Sequence, residues 1–243
     1  AYFGLHDMGA VAPGYKADLA VFDDLRTLNV KQVYKGGKLV AENGKMLHQK
    51  EKNTDWSTEI KERVFHSFHR VPITVEELQL KETTGTHQRV IDMVAHELIT
   101  KERIEEWKEL PGVAPGVDIS RDIVKLAAIE RHKNTGHVGL GFLGKYGLKK
   151  GAVATSIGHD SHNLVIAGVT DEDMVLAGNR VIENGGGLAI ALEGKVLADL
   201  PLPIGGLMAD EPVEVVDEKL EHMKKLSVEL GISEDIDAFM TLA

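Results

Sequence analysis

The sequence contains no cysteine in 243 residues. That excludes disulfides, thiolate zinc sites and cysteine nucleophiles. Aromatic residues make up only 5%, too few for a platform that stacks single-stranded bases. Basic charge is also short: 28 Lys and Arg face 38 Asp and Glu, a formal net charge of -10. Such a balance disfavours non-specific binding to nucleic acid or anionic membranes, so neither partner is expected. No apolar run approaches the ~20 residues that would span a bilayer. The start, Ala1-Tyr2-Phe3-Gly4-Leu5-His6-Asp7, lacks the basic and apolar regions of a signal peptide, which implies a cytoplasmic protein. An initiator Met is missing too, which suggests that the chain begins inside a longer one.

Against these absences, 43% hydrophobic and 27% charged residues describe ordinary globular material, long enough for one large or two ordinary domains. The densest polar cluster is Ile157-Gly158-His159-Asp160-Ser161-His162-Asn163. Apolar runs flank it, Ala152-Val153-Ala154 before and Leu164-Val165-Ile166-Ala167 after. Both read as strands that meet at Gly158 and carry two imidazoles, a carboxylate, a hydroxyl and a carboxamide to a sheet edge.

In chain order, residues 9–45 read as a small antiparallel β unit. Leu19-Ala20-Val21-Phe22, Val30–Lys35 and Lys38–Glu42 are the strands, with turns at Gly36-Gly37 and Asn43-Gly44. Three short strands are marginal alone and call for a larger sheet. Residues 48–62 are polar and read as a linker. Val64–Val71 alternates and reads as a strand, placing His66 and His69 on opposite faces. Thr74-Val75-Glu76-Glu77 opens a short helix with a capping box. Arg89–Val94 is a strand candidate, and 97–109 is open between strand and helix. Asp122–Ile129 reads as a buried strand ending in Glu130-Arg131-His132, followed by a Gly-rich run from Gly136 to Gly147.

Thr170 caps a predicted helix whose face holds Met174, Val175, Ala177, Val181 and Ile182, and Gly185 ends it. Leu188–Leu192 and Lys195–Leu200 form a hairpin across Glu193-Gly194. A last helix near Glu211–Leu230 carries the stripe Val213, Val216, Leu220, Met223, Leu226 and Leu230, closed by Gly231. The expected class is α/β in a broad, mixed α+β sense: a small β-sandwich segment, then an α/β C-terminal domain.

Each candidate site has two readings. The turn holding His159, Asp160, Ser161, His162 and Asn163 is either a ligand-facing edge or a tight turn whose polar side chains bond local backbone. In the first case His159 or His162 would move protons near neutral pH while Asp160 orients the ring. Metal binding is conceivable, but in a turn the two histidines need not converge, and no metal set is assigned to this chain. Gly139-Leu140-Gly141-Phe142-Leu143-Gly144 matches G-x-G-x-x-G but lacks the strand-before, helix-after context of a dinucleotide site. Gly185-Gly186-Gly187 is either a close approach to a ligand or a helix end running into a turn. Leu200–Met208, with two prolines and two glycines, is a shaped loop that lines a pocket or leaves a sheet.

Gly9–Asp18, Leu19–Asp23 and Val33–Val40 together resemble the tail segment of the amidohydrolase superfamily, which follows the catalytic barrel and closes a small β-sandwich. Within that superfamily the remainder resembles the adenine deaminase family. That closer match rests on Ile157–Asn163, Asp171-Glu172-Asp173-Met174, Gly185-Gly186-Gly187 and Leu200-Pro201-Leu202-Pro203-Ile204-Gly205-Gly206-Leu207-Met208.

The resemblance implies three segments: 1–48 as part of the composite β-sandwich, 49–75 as linker and connecting strand, and 76–243 as the family's C-terminal domain. It implies a metal-dependent hydrolase acting on a cyclic amidine, turning adenine and water into hypoxanthine and ammonia in adenine catabolism. A divalent metal, manganese or iron, serves the full enzyme. The family's ligands sit on the barrel, which needs ~200 residues or more. No His-x-His occurs in this sequence, so the chain alone is expected to be inactive and to bind no metal. The expected partners are adenine, the upstream barrel and further copies of the chain in a homo-oligomer. The other reading keeps the superfamily: a structural or oligomerisation module serving another cyclic amide or amine.

Overall fold

The computed structural model describes residues 3–47, 56–80, 85–97 and 99–242. Its contacts divide the chain into two units, Ala1–Asp55 and Trp56–Ala243.

The first unit is a four-stranded antiparallel sheet in the order β1 (Leu19–Phe22), β2 (Val30–Lys35), β3 (Lys38–Glu42), β4 (Lys45–Met46). Gly36-Gly37 and Asn43-Gly44 turn the chain with positive φ throughout, as the twist of a two-residue hairpin demands. Asp18 pins the first of these turns, accepting from the Gly36 amide at 2.7 Å and from Lys35. None of the described residues in this unit is buried. Val21, Phe22, Leu25, Leu28 and Val30 are all exposed, so the sheet has no core of its own.

The second unit runs α1 (Thr58–Phe65), α2 (Val75–Leu78), β5 (His87–Met93), β6 (Thr100–Glu106), β7 (Ile123–Ile129), β8 (Val138–Gly144), β9 (Ala152–Thr155), β10 (Leu164–Gly168), α3 (Asp171–Glu183), β11 (Gly187–Leu192), β12 (Lys195–Pro201) and α4 (Val213–Glu229). Eight strands form one sheet, ordered β12-β11-β9-β10-β7-β8-β5-β6. Every neighbouring pair is antiparallel except β5 with β8. The class is therefore mixed α+β.

Strand alternation splits the core into two layers. Val153, Ala167, Leu188 and Ile190 pack with Met223 and Leu230 of the α4 region. Ala152, Ala154, Ala189 and Ala191 face Met174, Ala177 and Val181 of α3. The helices thus lie on opposite faces. Small residues on the α3 side let that helix approach closely: a Cβ on Gly168 would come within 2.2 Å of Met174 Cγ.

Both long helices end as their sequences indicate. Thr170 Oγ1 accepts from the Asp173 amide at 3.3 Å. The Gly185 and Gly186 amides return to Ile182 and Val181, and those of Gly231 and Ile232 return to Val228 and Ser227, which is the Schellman pattern at each C-terminus. Asp173 also accepts from the Glu193 and Gly194 amides at 3.2 and 3.0 Å, tying α3 to the β11–β12 turn.

Several expectations need correction. Val64–Val71 is not a strand: Ser57 caps α1, its Oγ accepting from the Ile60 amide at 3.3 Å, and the helix runs through Phe65. His66 is the helix C-cap, and His69 lies in the loop beyond it. Opposed strand faces therefore do not describe them, and the 48–62 linker and 49–75 connecting strand are overturned over 58–65. Residues 48–55 of that linker lie outside the described residues. The Gly136–Gly147 run contains β8, so its G-x-G-x-x-G lies along a strand paired to β7 and β5. Gly144 is needed there because a Cβ would sit 2.2 Å from Asp92 Oδ1. The open stretch 97–109 holds β6. Val213, placed on the buried stripe, is 73% exposed at the first turn of α4.

Candidate functional site

The polar turn is the connection from β9 to β10, whose register pairs Thr155 with Val165. Gly158 is buried beneath it, and a Cβ there would lie 3.1 Å from Asn163 O. The His162 amide donates back to Gly158 O, and His162 takes a φ of 52° to close the loop. The Asn163 amide donates to Ser161 Oγ at 3.4 Å. Local backbone bonding by the turn's polar residues is thus real for Ser161. It does not account for His159 and Asp160, whose side chains pair at 3.0 Å while 73% and 97% exposed.

The histidines do not converge. His159 faces solvent, whereas His162 is half-buried with Nδ1 shielded and unpartnered. Among the described residues no group of three or more His, Asp or Glu could hold a metal ion. The donors among the described residues form no such set for the divalent metal that the resemblance implies.

Beneath the turn lies a residue that the sequence presents only as part of a strand end. Arg131, just past β7, is 1% exposed. Its Nε donates to His162 O at 2.5 Å and its Nη2 to Gly205 O at 3.1 Å. The Phe68 ring lies 4.9 Å below the guanidinium carbon. A Cβ on Gly206 would fall 2.7 Å from Nη1, so any larger residue there would have to push the guanidinium aside. Nη1 has no partner, and no carboxylate forms an ion pair with this cation among the described residues. Burial holds its pKa below the usual arginine value.

The neighbouring residues extend the same assembly. His132 Nε2 donates to Ser161 O at 2.8 Å, which fixes that ring's proton on Nε2. Glu130 accepts from the Thr135, Lys133 and His132 amides at 2.9, 2.7 and 2.5 Å, and from the Thr135 hydroxyl at 2.9 Å. Those bonds, the Thr135 amide foremost, hold its carboxyl down at about 2. Ser156 Oγ accepts from the Gly187 amide at 2.7 Å and donates to Gly206 O at 2.6 Å. Gly186 and Gly206 pack backbone against backbone, with a Cβ on Gly186 only 2.4 Å from Gly206 Cα. The structure therefore brings three sequence-flagged stretches together: the 157–163 turn, Gly185–Gly187 and the 200–208 loop. It adds Arg131, Ser156 and Phe68. A separate cleft of about 510 Å³, lined by Trp107, Glu109 and Glu172 among others, shares no lining residue with this rim.

These features define a class: a mixed α+β domain with one rim of polar loops, in a chain that also carries a small sheet lacking a core. The adenine deaminase C-terminal domain family model matches residues 97–243. The chain is 43% identical over 243 residues to adenine deaminase 2 of Carboxydothermus hydrogenoformans, covering 100% of this chain and 41% of that protein. It is 41% identical over 240 residues to adenine deaminase of Petrotoga mobilis, covering 99% and 41% respectively. With adenine deaminase of Kosmotoga olearia the identity is 43% over 242 residues, covering 100% and 41%. The chain belongs to the adenine deaminase C-terminal domain family. It spans about two-fifths of the length of these curated relatives. No helix among the described residues is long and apolar enough to cross a membrane.

Proposed function

We propose that this chain is the C-terminal part of a hydrolytic adenine deaminase. Water adds at C6 of adenine, ammonia leaves, and hypoxanthine forms. The observation that carries the reading is the match along its whole length to proteins named adenine deaminase.

A divalent metal, manganese or iron, would supply hydroxide at neutral pH in the full enzyme. By the resemblance, its ligands belong to the catalytic barrel of the full enzyme. The contribution of this chain is different. Its first unit exposes an apolar sheet that needs covering, and the composite sandwich of the full enzyme covers it. Its second unit supplies the rim of His159, Asp160, Ser161, His162 and Asn163, which in the full enzyme faces the substrate or a closing loop. The reaction belongs to cytoplasmic adenine catabolism, in a homo-oligomeric enzyme whose state is measured by light scattering.

The test uses the full-length polypeptide that carries this chain, loaded with Mn²⁺ or Fe²⁺. Conversion of adenine to hypoxanthine, followed by the change in ultraviolet absorbance, is expected. A full-length, metal-loaded protein that leaves adenine untouched overturns the reading.

A further inference from the structure

A buried guanidinium without a carboxylate is an expensive thing to keep in a fold. An apolar side chain of similar volume would fill the space without the desolvation penalty. What an apolar residue cannot do is donate to two acceptors at fixed angles, as the planar arginine fork does. Arg131 uses that fork on two backbone carbonyls far apart in sequence, His162 O at 2.5 Å and Gly205 O at 3.1 Å. One carbonyl belongs to the polar turn and the other to the loop after β12.

The other ties are one-sided. His132 reaches only the turn, through Ser161 O. The Gly205 amide bonds Val64 O, and Ser156 bonds Gly206 O and the Gly187 amide, so neither tie reaches the 158–163 turn. The guanidinium lies over the Phe68 ring and close to Gly206, which leaves it little freedom to swing from one carbonyl to the other.

We infer that Arg131 is a positioning residue: it locks the 158–163 turn and the 203–208 loop into one rigid rim and thereby sets where the exposed His159–Asp160 pair stands against the substrate. The first half of this statement rests on the geometry alone; the second rests on the deaminase reading. The two fail separately in the experiment below.

The full-length protein is made as wild type, R131K, R131Q, G206A, S156A and N179A. Hydrogen exchange is followed in peptides covering 158–163 and 203–208, with KM and kcat for adenine measured on the same preparations. R131K keeps the charge and R131Q the planar amide, but neither spans both carbonyls. G206A pushes the guanidinium aside without removing it. For these three, exchange rises in both segments together, and KM rises about tenfold or more with a smaller change in kcat. S156A raises exchange in 203–208 alone. N179A is the control for plain destabilisation, because Asn179 ties α3 to Ile73 away from the rim, at 2.8 and 3.0 Å. It lowers the melting temperature and leaves KM unchanged.

Exchange that rises in one segment only, or in neither, overturns the single rim. Paired exchange with a KM that stays at the wild-type value overturns the positioning role. An inactive wild type overturns the deaminase reading and with it the positioning role, while the exchange arm still decides the rim.

Discussion

Lys125 Nζ lies 2.6 Å from Asp171 Oδ1, and both side chains are buried. Lys125 comes from β7 and Asp171 from the first turn of α3, so the pair anchors the helix N-terminus to the sheet centre. Removing one partner leaves the other charge buried and alone. D171N is expected to cost about 3–5 kcal/mol in urea unfolding followed at Trp107. The double variant K125M/D171L is expected to regain most of that loss. If D171N unfolds at the wild-type urea midpoint, the pair contributes nothing.

Glu130 sets the pH response of the loop next to Arg131. Its folded pKa is depressed from 4.5 to about 2 by the amides of Thr135, Lys133 and His132. A carboxylate depressed in the fold contributes its stability above its unfolded pKa and loses it as pH falls through the folded value. The wild type therefore loses stability relative to E130Q between about pH 4.5 and 2, and the two curves run parallel above that window. Urea midpoints of both proteins across this range make the comparison, and a constant difference down to pH 2 contradicts the assignment.

Gly186 makes one of the close backbone approaches in the rim. A methyl group there would meet Gly206 Cα at 2.4 Å, at a residue whose φ is +123°. G186A is expected to destabilise by about 1–3 kcal/mol, since overpacking and backbone strain act together. Thermal unfolding reads the size. Hydrogen exchange reads the place, with protection lost first in 203–208. An unaffected 203–208 segment would show that this contact does not hold the loop.

Much of the fold was legible because its signals are local. Thr170 and Gly185 bound α3, Gly231 bounds α4, and Gly36-Gly37, Asn43-Gly44 and Glu193-Gly194 mark hairpins, each through side-chain caps or positive φ. Of what escaped, one element was a local signal overlooked and the rest was set by partners distant in sequence. The alternation in Val64–Val71 suggested a strand, but the Ser57 cap upstream had already started a helix. The glycines of β8 hid a strand because β7 and β5 supply its ladder. In the rim, the turn was visible as a polar cluster, whereas Arg131 was not. It bonds main-chain carbonyls of residues 162 and 205, and carbonyls carry no signature in a sequence. The one available signal was the charged triplet Glu130-Arg131-His132 directly after a buried strand.

The proposed function gives this chain scaffold and rim and leaves the making of hydroxide to the rest of the full enzyme. Ammonia release from adenine by purified residues 1–243, loaded with Mn²⁺ or Fe²⁺, tests it most directly. No release above the rate of the metal alone is expected. Sustained turnover by these 243 residues would contradict it.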